Sequence, residues 1–311
     1  MAKGINKSKY IASSFIILQC LIFGFSFVAT KELLAKSFPT FLLLAIRFAV
    51  GGVVLTLIGI LFKKSPKIST TVGAISKLKK KEIVGGTISG VLLFCAFALQ
   101  TFGLEYTTPA KSGLFTDLFV IFVPIITMVL TRRFNWQPIV AGIIAFVGAT
   151  FVLNVYSEKS DFNVGDVLSI SCGFMFAVQF IVMEKFAMTA ENERVNPFNF
   201  TCIQLAIVSI LALIASLFFE IKLYANINWN GVIWLICFLG VFAAAAAYLL
   251  QFMAQTKISA ETTSVLSCSE ALFTVIISLV FRFDTFSWWL ILGGVMLIGG
   301  MVFAVIPLKN K

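Results

Sequence analysis

The apolar residues of this chain are gathered into ten long runs that are separated by short polar segments. A helix rises about 1.5 Å per residue, so about 20 apolar residues cross the roughly 30 Å hydrocarbon core of a membrane. The runs are continuous and do not alternate with polar residues, which favours helices over the strands of a membrane barrel. The predicted spans are residues 11–30, 41–62, 83–104, 111–130, 136–154, 167–186, 198–219, 232–255, 262–281 and 288–306.

The composition excludes a water-soluble fold. Of the 311 residues, 59% are hydrophobic and 12% are charged, whereas about a quarter of the residues of a soluble domain are charged. We therefore predict an all-α membrane protein. The first run follows Lys3, Lys7 and Lys9 as in a secretory signal, but it is too long and no small-residue cleavage site closes it, so we expect it to be retained.

The basic residues lie mostly on one predicted side of the membrane. The chain has 24 lysine and arginine residues and a net charge of +10. With the amino terminus in the cytoplasm, seventeen of the 24 fall in cytoplasmic segments, as the positive-inside rule requires. This distribution explains the charge without a nucleic-acid partner and predicts a multi-pass protein of the cell membrane with both termini cytoplasmic. The sequence KLKKK at residues 77–81 is also expected to approach anionic lipid head groups.

The second half of the chain repeats the first. LQTFGLEYTTPA at residues 99–110 aligns with LQFMAQTKISAE at residues 250–261, so that Gln100 overlays Gln251. Similar offsets relate further pairs, namely Phe23 with Phe176, Ser26 with Gln179, Arg47 with Gln204, Gly142 with Gly294 and Gly148 with Gly300.

Each copy contains five spans, and this odd number determines how the copies lie in the membrane. A second copy that follows five crossings enters from the opposite side, so the two copies must be inverted. We predict two inverted five-helix repeats, residues 1–155 and residues 156–311. Two halves of similar energy can exchange inward-open and outward-open shapes around a central site, which favours a carrier that works by alternating access.

Six segments spread over almost the whole chain carry a recognisable pattern. They are GFSFVATKELL at 24–34, LLAIRF at 43–48, FALQTFGLEYTTPAKSGLFTDLFVIFVP at 97–124, GDVLSISCGFMFAVQF at 165–180, YLLQFMAQTKISAETTSVLSCSEAL at 248–272 and GGVMLIGGMV at 293–302. This pattern resembles the drug/metabolite transporter (DMT) superfamily, specifically its EamA-type ten-helix permeases. The resemblance implies a ten-helix carrier of small metabolites, with the fourth and ninth spans beside its central cavity.

The chain departs from the family pattern at three places. Phe23 and Phe176 stand where tryptophan is common, and Ala271 follows Glu270 where proline is common. TRRFNW at residues 131–136 replaces a short Gly-Glu turn. These departures concern aromatic contacts and a helix kink, and they leave the predicted fold unchanged.

Three ionisable residues lie well inside predicted spans, namely Arg47, Asp117 and Glu270. A charge at the bilayer centre costs a few kcal/mol or more, so each should face protein or a water-filled cavity. We interpret Arg47 as a structural brace, with substrate contact as the alternative. Asp117 and Glu270 lie on the equivalent fourth and ninth spans, where a carboxylate could bind an ammonium group or take up a proton. Structural pairing with Arg47 or a lysine is the alternative.

Uncharged polar and aromatic residues complete the candidate cavity. Gln100 and Gln251 can both donate and accept hydrogen bonds, either to a substrate or to a neighbouring helix. Ser26 and Gln179 could line the same cavity. Aromatic faces near a carboxylate can hold an ammonium group by cation-π attraction, and the aromatic candidates are Phe23, Phe97, Phe176 and Tyr248.

The sequence offers little for catalysis or metal binding. Histidine is absent, and the six cysteines lie within spans without C-x-x-C spacing, so we predict free thiols, no metal site and no cofactor. We predict a secondary transporter and not an enzyme, moving small metabolites such as amino acids or amines outward by alternating access. Uptake of choline or another amine is the alternative within transport, and a membrane-embedded enzyme or a receptor or scaffold is the alternative from another class.

The predicted partners are a small-molecule substrate and the lipid bilayer. A proton or another cation is the candidate coupling ion. The chain is expected to act as a monomer or a homodimer, without nucleic acid.

The predicted orientation can be tested by thiol labelling in intact cells. A membrane-impermeant maleimide should label Asp161→Cys and should miss Lys79→Cys until the cells are permeabilised, because these positions lie on opposite sides. The unsubstituted chain is the control for its own six cysteines. Labelling of Lys79→Cys alone would reverse the topology.

Overall fold

The computed structural model describes residues 7–63, 75–107, 109–154, 161–188, 195–227, 229–282 and 287–306. These residues form ten apolar helical stretches and contain no strand. In chain order they are α1 Lys7–Ala35, α2 Thr40–Lys63, α3 Lys80–Leu104, α4 Pro109–Thr116 with Phe119–Thr131, α5 Trp136–Val152, α6 Val164–Ala187, α7 Pro197–Phe219, α8 Ile233–Gln255, α9 Ala260–Ser267 with Ser269–Val280, and α10 Trp288–Val305.

The ten predicted spans are confirmed as helices, with changes at their ends. Among the described residues, nine stretches are long and apolar enough to cross a membrane, while α5 has 17 residues. Helix α5 ends at Val152, two residues earlier than predicted, because the chain turns there and Asn154 has a φ of 53°, outside the right-handed helical region. Helix α1 extends beyond its apolar run at both ends, from Lys7 to Ala35.

Helices α4 and α9 cross as single spans, as predicted, but each is interrupted near its middle. In α4 the amide of Val120 bonds to the carbonyl of Asp117, which is the spacing of a tighter 3₁₀ turn. In α9 the interruption is at Cys268, where φ is −59° and ψ is −17°. No glycine or proline stands at either position, so neither interruption can be predicted from the local sequence.

The helices form two compact units that do not coincide with the sequence repeats. The first unit comprises Met1–Phe94 and Val182–Lys257, and the second comprises Cys95–Ile181 and Ile258–Lys311. Each unit therefore contains helices from both copies of the repeat. The spatial grouping does not test the predicted repeat boundary between residues 155 and 156, which stays a prediction.

In the first unit, α2 packs against α7, its counterpart in the other copy. The hydroxyl of Ser209 donates to the carbonyl of Ala45 at 2.9 Å, and Thr56 Oγ1 lies 3.5 Å from Cys202 Sγ. Contacts that advance along α2 therefore move backwards along α7. The two equivalent helices run in opposite directions, as inversion requires.

In the second unit, the same relation holds for α5 and α10. A Cβ added at Gly148 would lie 2.8 Å from the carbonyl oxygen of Gly293, and one at Gly300 would lie 2.9 Å from that of Ala141. Small residues allow such close approach between membrane helices. This pair is also antiparallel, and together with α2 and α7 it confirms two inverted repeats.

A buried ion pair joins the start of α4 to the start of α6 in the second unit. Lys111 Nζ lies 2.8 Å from Asp166 Oδ2, and the two residues are 7% and 0% exposed. Thr107 Oγ1 and the amide of Asn163 also donate to the Asp166 carboxylate, at 2.5 Å and 3.0 Å. Because several donors surround the carboxylate, its desolvation is offset. The predicted fourth span begins at Lys111, and sequence reasoning did not single out Asp166.

Two more buried carboxylates join helix ends in the first unit. Glu82, at the start of α3, accepts from Asn199 Nδ2 at 2.8 Å and from the amide of Asn196 at 2.9 Å. Glu220, just after α7, accepts from the amides of Phe41 and Leu42 in the first turn of α2, both at 2.9 Å. Carboxylates stabilise helix amino termini, whose N–H groups lack partners within the helix.

The contact between α5 and α10 should not tolerate a side chain at Gly148. We expect Gly148→Leu to lower the free energy of unfolding by about 1 to 3 kcal/mol or more, because the added atoms meet backbone at 2.8 Å. Thermal unfolding of the purified protein in detergent measures this. Gly299→Leu is the matched control, since a Cβ at Gly299 meets nothing within 4 Å. Equal stability of the two variants would contradict the helix contact.

Candidate functional site

The residues predicted to line a substrate cavity fall into both compact units. The first unit contains Phe23, Ser26, Arg47, Tyr248 and Gln251. The second unit contains Phe97, Gln100, Asp117, Phe176, Gln179 and Glu270.

In the first unit an aromatic cluster surrounds Tyr248. Its ring centroid lies 5.8 Å from that of Phe23 and 5.9 Å from that of Phe48, and Tyr248 is 3% exposed. The guanidinium carbon of Arg47 lies 5.0 Å from the Phe48 ring centroid, and Arg47 also interacts electrostatically with Tyr248. The side chain of Arg47 is therefore held by aromatic faces through cation-π attraction.

An amide pair lies one helical turn from this cluster. Gln19 Nε2 donates to Gln251 Oε1 at 3.2 Å, and both side chains are almost completely buried. Gln251 lies one turn after Tyr248, and Gln19 lies one turn before Phe23. Ser26 is also buried, and its hydroxyl donates to the Phe23 carbonyl within α1 at 2.8 Å.

The second unit contains a similar aromatic and polar arrangement between α3 and α6. The Phe97 and Phe176 rings meet edge to face with centroids 5.7 Å apart. One turn away, Gln100 Nε2 donates to Thr116 Oγ1 at 3.4 Å, and the Thr116 hydroxyl lies 3.7 Å from Cys172 Sγ.

The two arrangements are equivalent under the internal repeat. Phe23 and Tyr248 correspond to Phe176 and Phe97, and the aromatic contact is formed in both copies. Gln251 corresponds to Gln100. The offset that relates Phe23 to Phe176 places Cys172 opposite Gln19, so the glutamine pair of the first unit is replaced in the second by a glutamine, a cysteine and the intervening Thr116.

Asp117 and Glu270 lie in the second unit, where their chain neighbours Phe119, Val120, Cys268 and Ala271 belong to one buried apolar cluster. Asp117 follows the first segment of α4, and Glu270 lies in the first turn of the second segment of α9. Both side chains are partly accessible. Sequence alignment does not overlay the two residues, but the interruptions of α4 and α9 bring each carboxylate beside a change in helix geometry.

Two neighbouring negative charges are unfavourable away from bulk water, and a bound proton or cation relieves that repulsion. Thr116 connects this carboxylate pair to the aromatic contact, because it precedes Asp117 in the chain and bonds to Gln100. Gln179 is 1% exposed and lies one turn beyond Phe176 on α6.

Three residues of these arrangements were missed by sequence reasoning, namely Gln19, Thr116 and Cys172. Gln19 offered a signal, because an amide in the middle of an apolar span requires a hydrogen-bond partner. Threonine and cysteine give no such signal, since both are common in membrane helices. None of the six cysteines, all of which lie in the described part of the chain, forms a disulfide bond.

A double-mutant cycle can test the amide pair. Gln19→Met and Gln251→Met should each destabilise the protein, and the double variant should lose less than the sum, with a coupling free energy of about 0.6 to 2 kcal/mol. Thermal unfolding in detergent provides the readout. Purely additive losses would mean that the two amides do not bond to one another.

Comparison with known proteins places the chain in a family. An uncharacterized transporter of Archaeoglobus fulgidus is 26% identical over 202 residues, which are 65% of this chain and 62% of that relative. The uncharacterized transporter YetK of Bacillus subtilis is 23% identical over 296 residues, which are 92% of this chain and 84% of that relative. One solved crystal structure, 18% identical, has a TM-score of 0.76 over 94% of this chain and 96% of that chain, so it has the same fold. The model of the EamA-like transporter family matches residues 11–154 and again residues 163–306, and the chain therefore belongs to that family.

Proposed function

We propose that this membrane transporter is a secondary carrier for small metabolites that bear an ammonium group, such as amines and amino acids. The observation that supports this proposal is the position of Asp117 and Glu270, two partly accessible carboxylates whose chain neighbours pack in one apolar cluster within the second unit. Charged residues inside a membrane are expensive and normally serve a substrate or ion pathway. A bound cationic substrate supplies positive charge that offsets the two carboxylates.

The surroundings of the carboxylates suit an organic cation. Phe97 and Phe176 form an edge-to-face pair within the same unit, and aromatic faces attract ammonium groups. The amide of Gln100, bonded to Thr116, can accept a hydrogen bond from a substrate or donate one to it. An amino acid or amine would thus meet negative charge, aromatic surface and a polar amide.

The carboxylate pair also provides a route for coupling. The chain contains no histidine, and the buried carboxylate of Asp166 is already paired with Lys111, so in this proposal Asp117 and Glu270 take up the proton inside the second unit. In this proposal the pair exchanges substrate for a proton or a monovalent cation during the transport cycle. The two inverted repeats support alternating access, because two halves of similar energy can exchange their open sides.

The direction of transport and the orientation stay predictions from the sequence. We propose outward transport across the cell membrane. We also propose that both termini lie in the cytoplasm, because the basic residues follow the positive-inside distribution.

Substitution of Glu270 tests the proposed site. Glu270→Gln keeps the shape of the side chain but removes its charge, so we expect saturable transport of cationic amines into proteoliposomes to fall at least tenfold. The substrate panel contains primary amines, amino acids, choline and neutral sugars, each measured with and without a pH gradient. Asp117→Asn should produce a loss of the same kind, because it removes the other half of the pair.

The matched control is Glu105→Gln, which removes an exposed carboxylate just after α3. This variant should transport like the unsubstituted chain. Normal transport by Glu270→Gln at every pH would overturn the proposal, as would a panel in which only neutral sugars are carried.

A further inference from the structure

A groove of about 390 Å³ runs between α2 and α7 in the first unit. Its floor is formed by small residues, including Ala49, Gly52 and Ala206, and its sides by larger apolar residues such as Val53 and Ile210. Val53 is 59% exposed and Ile210 is 54% exposed, although both lie near the middle of membrane-spanning helices. The groove therefore opens sideways toward lipid hydrocarbon.

The polar atoms in the groove already have partners within the protein. The hydroxyl of Thr56 donates to the Gly52 carbonyl at 2.7 Å, and the hydroxyl of Ser209 donates to the Ala45 carbonyl at 2.9 Å. A polar ligand would gain little here, because these donors are occupied. The groove offers van der Waals contact with an apolar ligand instead.

A group of exposed lysines lies at one end of the groove. Two bonds hold residues 75 and 76, just before α3, at this end, from the amide of Ile75 to the Gly59 carbonyl at 3.3 Å and from the amide of Ser76 to Asn199 Oδ1 at 3.3 Å. We call three exposed lysines at this end the lysine cluster, namely Lys63, Lys77 and Lys80.

The neighbouring acidic residue does not neutralise this surface. Glu82 is completely buried, and its carboxylate accepts hydrogen bonds from Asn199, from the Asn196 amide and from the Lys79 amide. The lysine cluster therefore presents positive charge outward, where lipid head groups lie.

The spacing of the two features matches a phospholipid. Leu57, in the groove lining, precedes Lys63 by six residues, or about 9 Å along the helix, and the lining of α2 from Phe48 to Leu57 extends about 14 Å more. Half of the hydrocarbon core is about 15 Å thick, and the head-group layer adds several ångströms. A lipid with its head group at the lysine cluster would thus place an acyl chain along the groove.

We propose that the groove between α2 and α7 binds one acyl chain of an anionic phospholipid whose phosphate is held by the lysine cluster. Lysines next to a membrane helix attract anionic lipids through their surface charge. The groove in addition fits the acyl chain, so a lipid at this site is held more specifically than the lipids that merely surround the protein.

The test uses the purified full chain in detergent and counts retained lipids by native mass spectrometry. The probes are phosphatidylglycerol and phosphatidylcholine with the same two oleoyl chains. We expect at least fivefold more phosphatidylglycerol to be retained, together with a higher thermal unfolding temperature. Equal retention of the two lipids would overturn the proposal.

Two variants separate the groove from the lysine cluster. Gly52→Leu should fill the groove and lower phosphatidylglycerol retention to that of phosphatidylcholine, because a Cβ at Gly52 meets only Leu205, at 3.8 Å, and has room. Gly299→Leu, at an exposed glycine of α10, should retain the lipid. If Gly52→Leu does not fold, Ile210→Trp fills the same groove from an exposed position.

The charge requirement has its own matched pair. Lys77→Gln with Lys80→Gln should abolish the preference for phosphatidylglycerol, whereas Lys222→Gln, at an exposed lysine after α7, should not. Equally strong retention of dihexanoyl phosphatidylglycerol would show that the head group alone is bound and would overturn the acyl-chain site. Dissociation of a dimer by Gly52→Leu, without any effect of lipid, would assign the groove to a second copy and also overturn it.

Discussion

Lipid hydrocarbon supplies no hydrogen-bond partner, so polar groups within the membrane spans must find their partners inside the protein. The backbone satisfies this requirement by forming helices, in which nearly all N–H and C=O groups bond to one another. Some buried polar side chains satisfy it by forming hydrogen bonds with one another. Gln19 bonds to Gln251 in the first unit, and Gln100 bonds to Thr116 in the second. At the helix ends, where backbone groups lack partners, buried carboxylates such as Glu220 complete the bonding.

The internal repeat explains why polar and aromatic residues recur at matching places. Phe23 with Tyr248 and Phe176 with Phe97 are equivalent contacts, with centroid separations of 5.8 Å and 5.7 Å. The equivalence stops at the carboxylates, since Asp117 and Glu270 lie on the equivalent helices α4 and α9 but not at overlaid positions of the repeat. A fold that is nearly symmetric thus carries an asymmetric charge distribution, and in our proposal that asymmetry gives the cationic substrate one site.

Close backbone contact and local changes in helix geometry are both present in the described helices. In α5 and α10, small residues such as Gly148 and Gly293 bring the backbones together along an antiparallel contact. In α4 and α9, the interruptions beside Asp117 and Glu270 leave part of the backbone without regular helical bonds. Discontinuous membrane helices commonly bind substrates and ions, because their ends carry partial charges. The positions of the two carboxylates fit this physical pattern.

The sequence by itself determined ten apolar helices, because span length and composition are local properties, and it determined inversion, because five crossings are an odd number. It also identified Gln100, Gln251, Asp117 and Glu270 as unusual in an apolar setting. Only the tertiary structure decided that Gln251 meets Gln19, that the neighbours of Asp117 and Glu270 share one apolar cluster, and that each compact unit combines both repeats. Helices that are apolar on all sides carry no stripe to show which face packs inward, so the side-chain pairs depend on contacts between residues far apart in the chain.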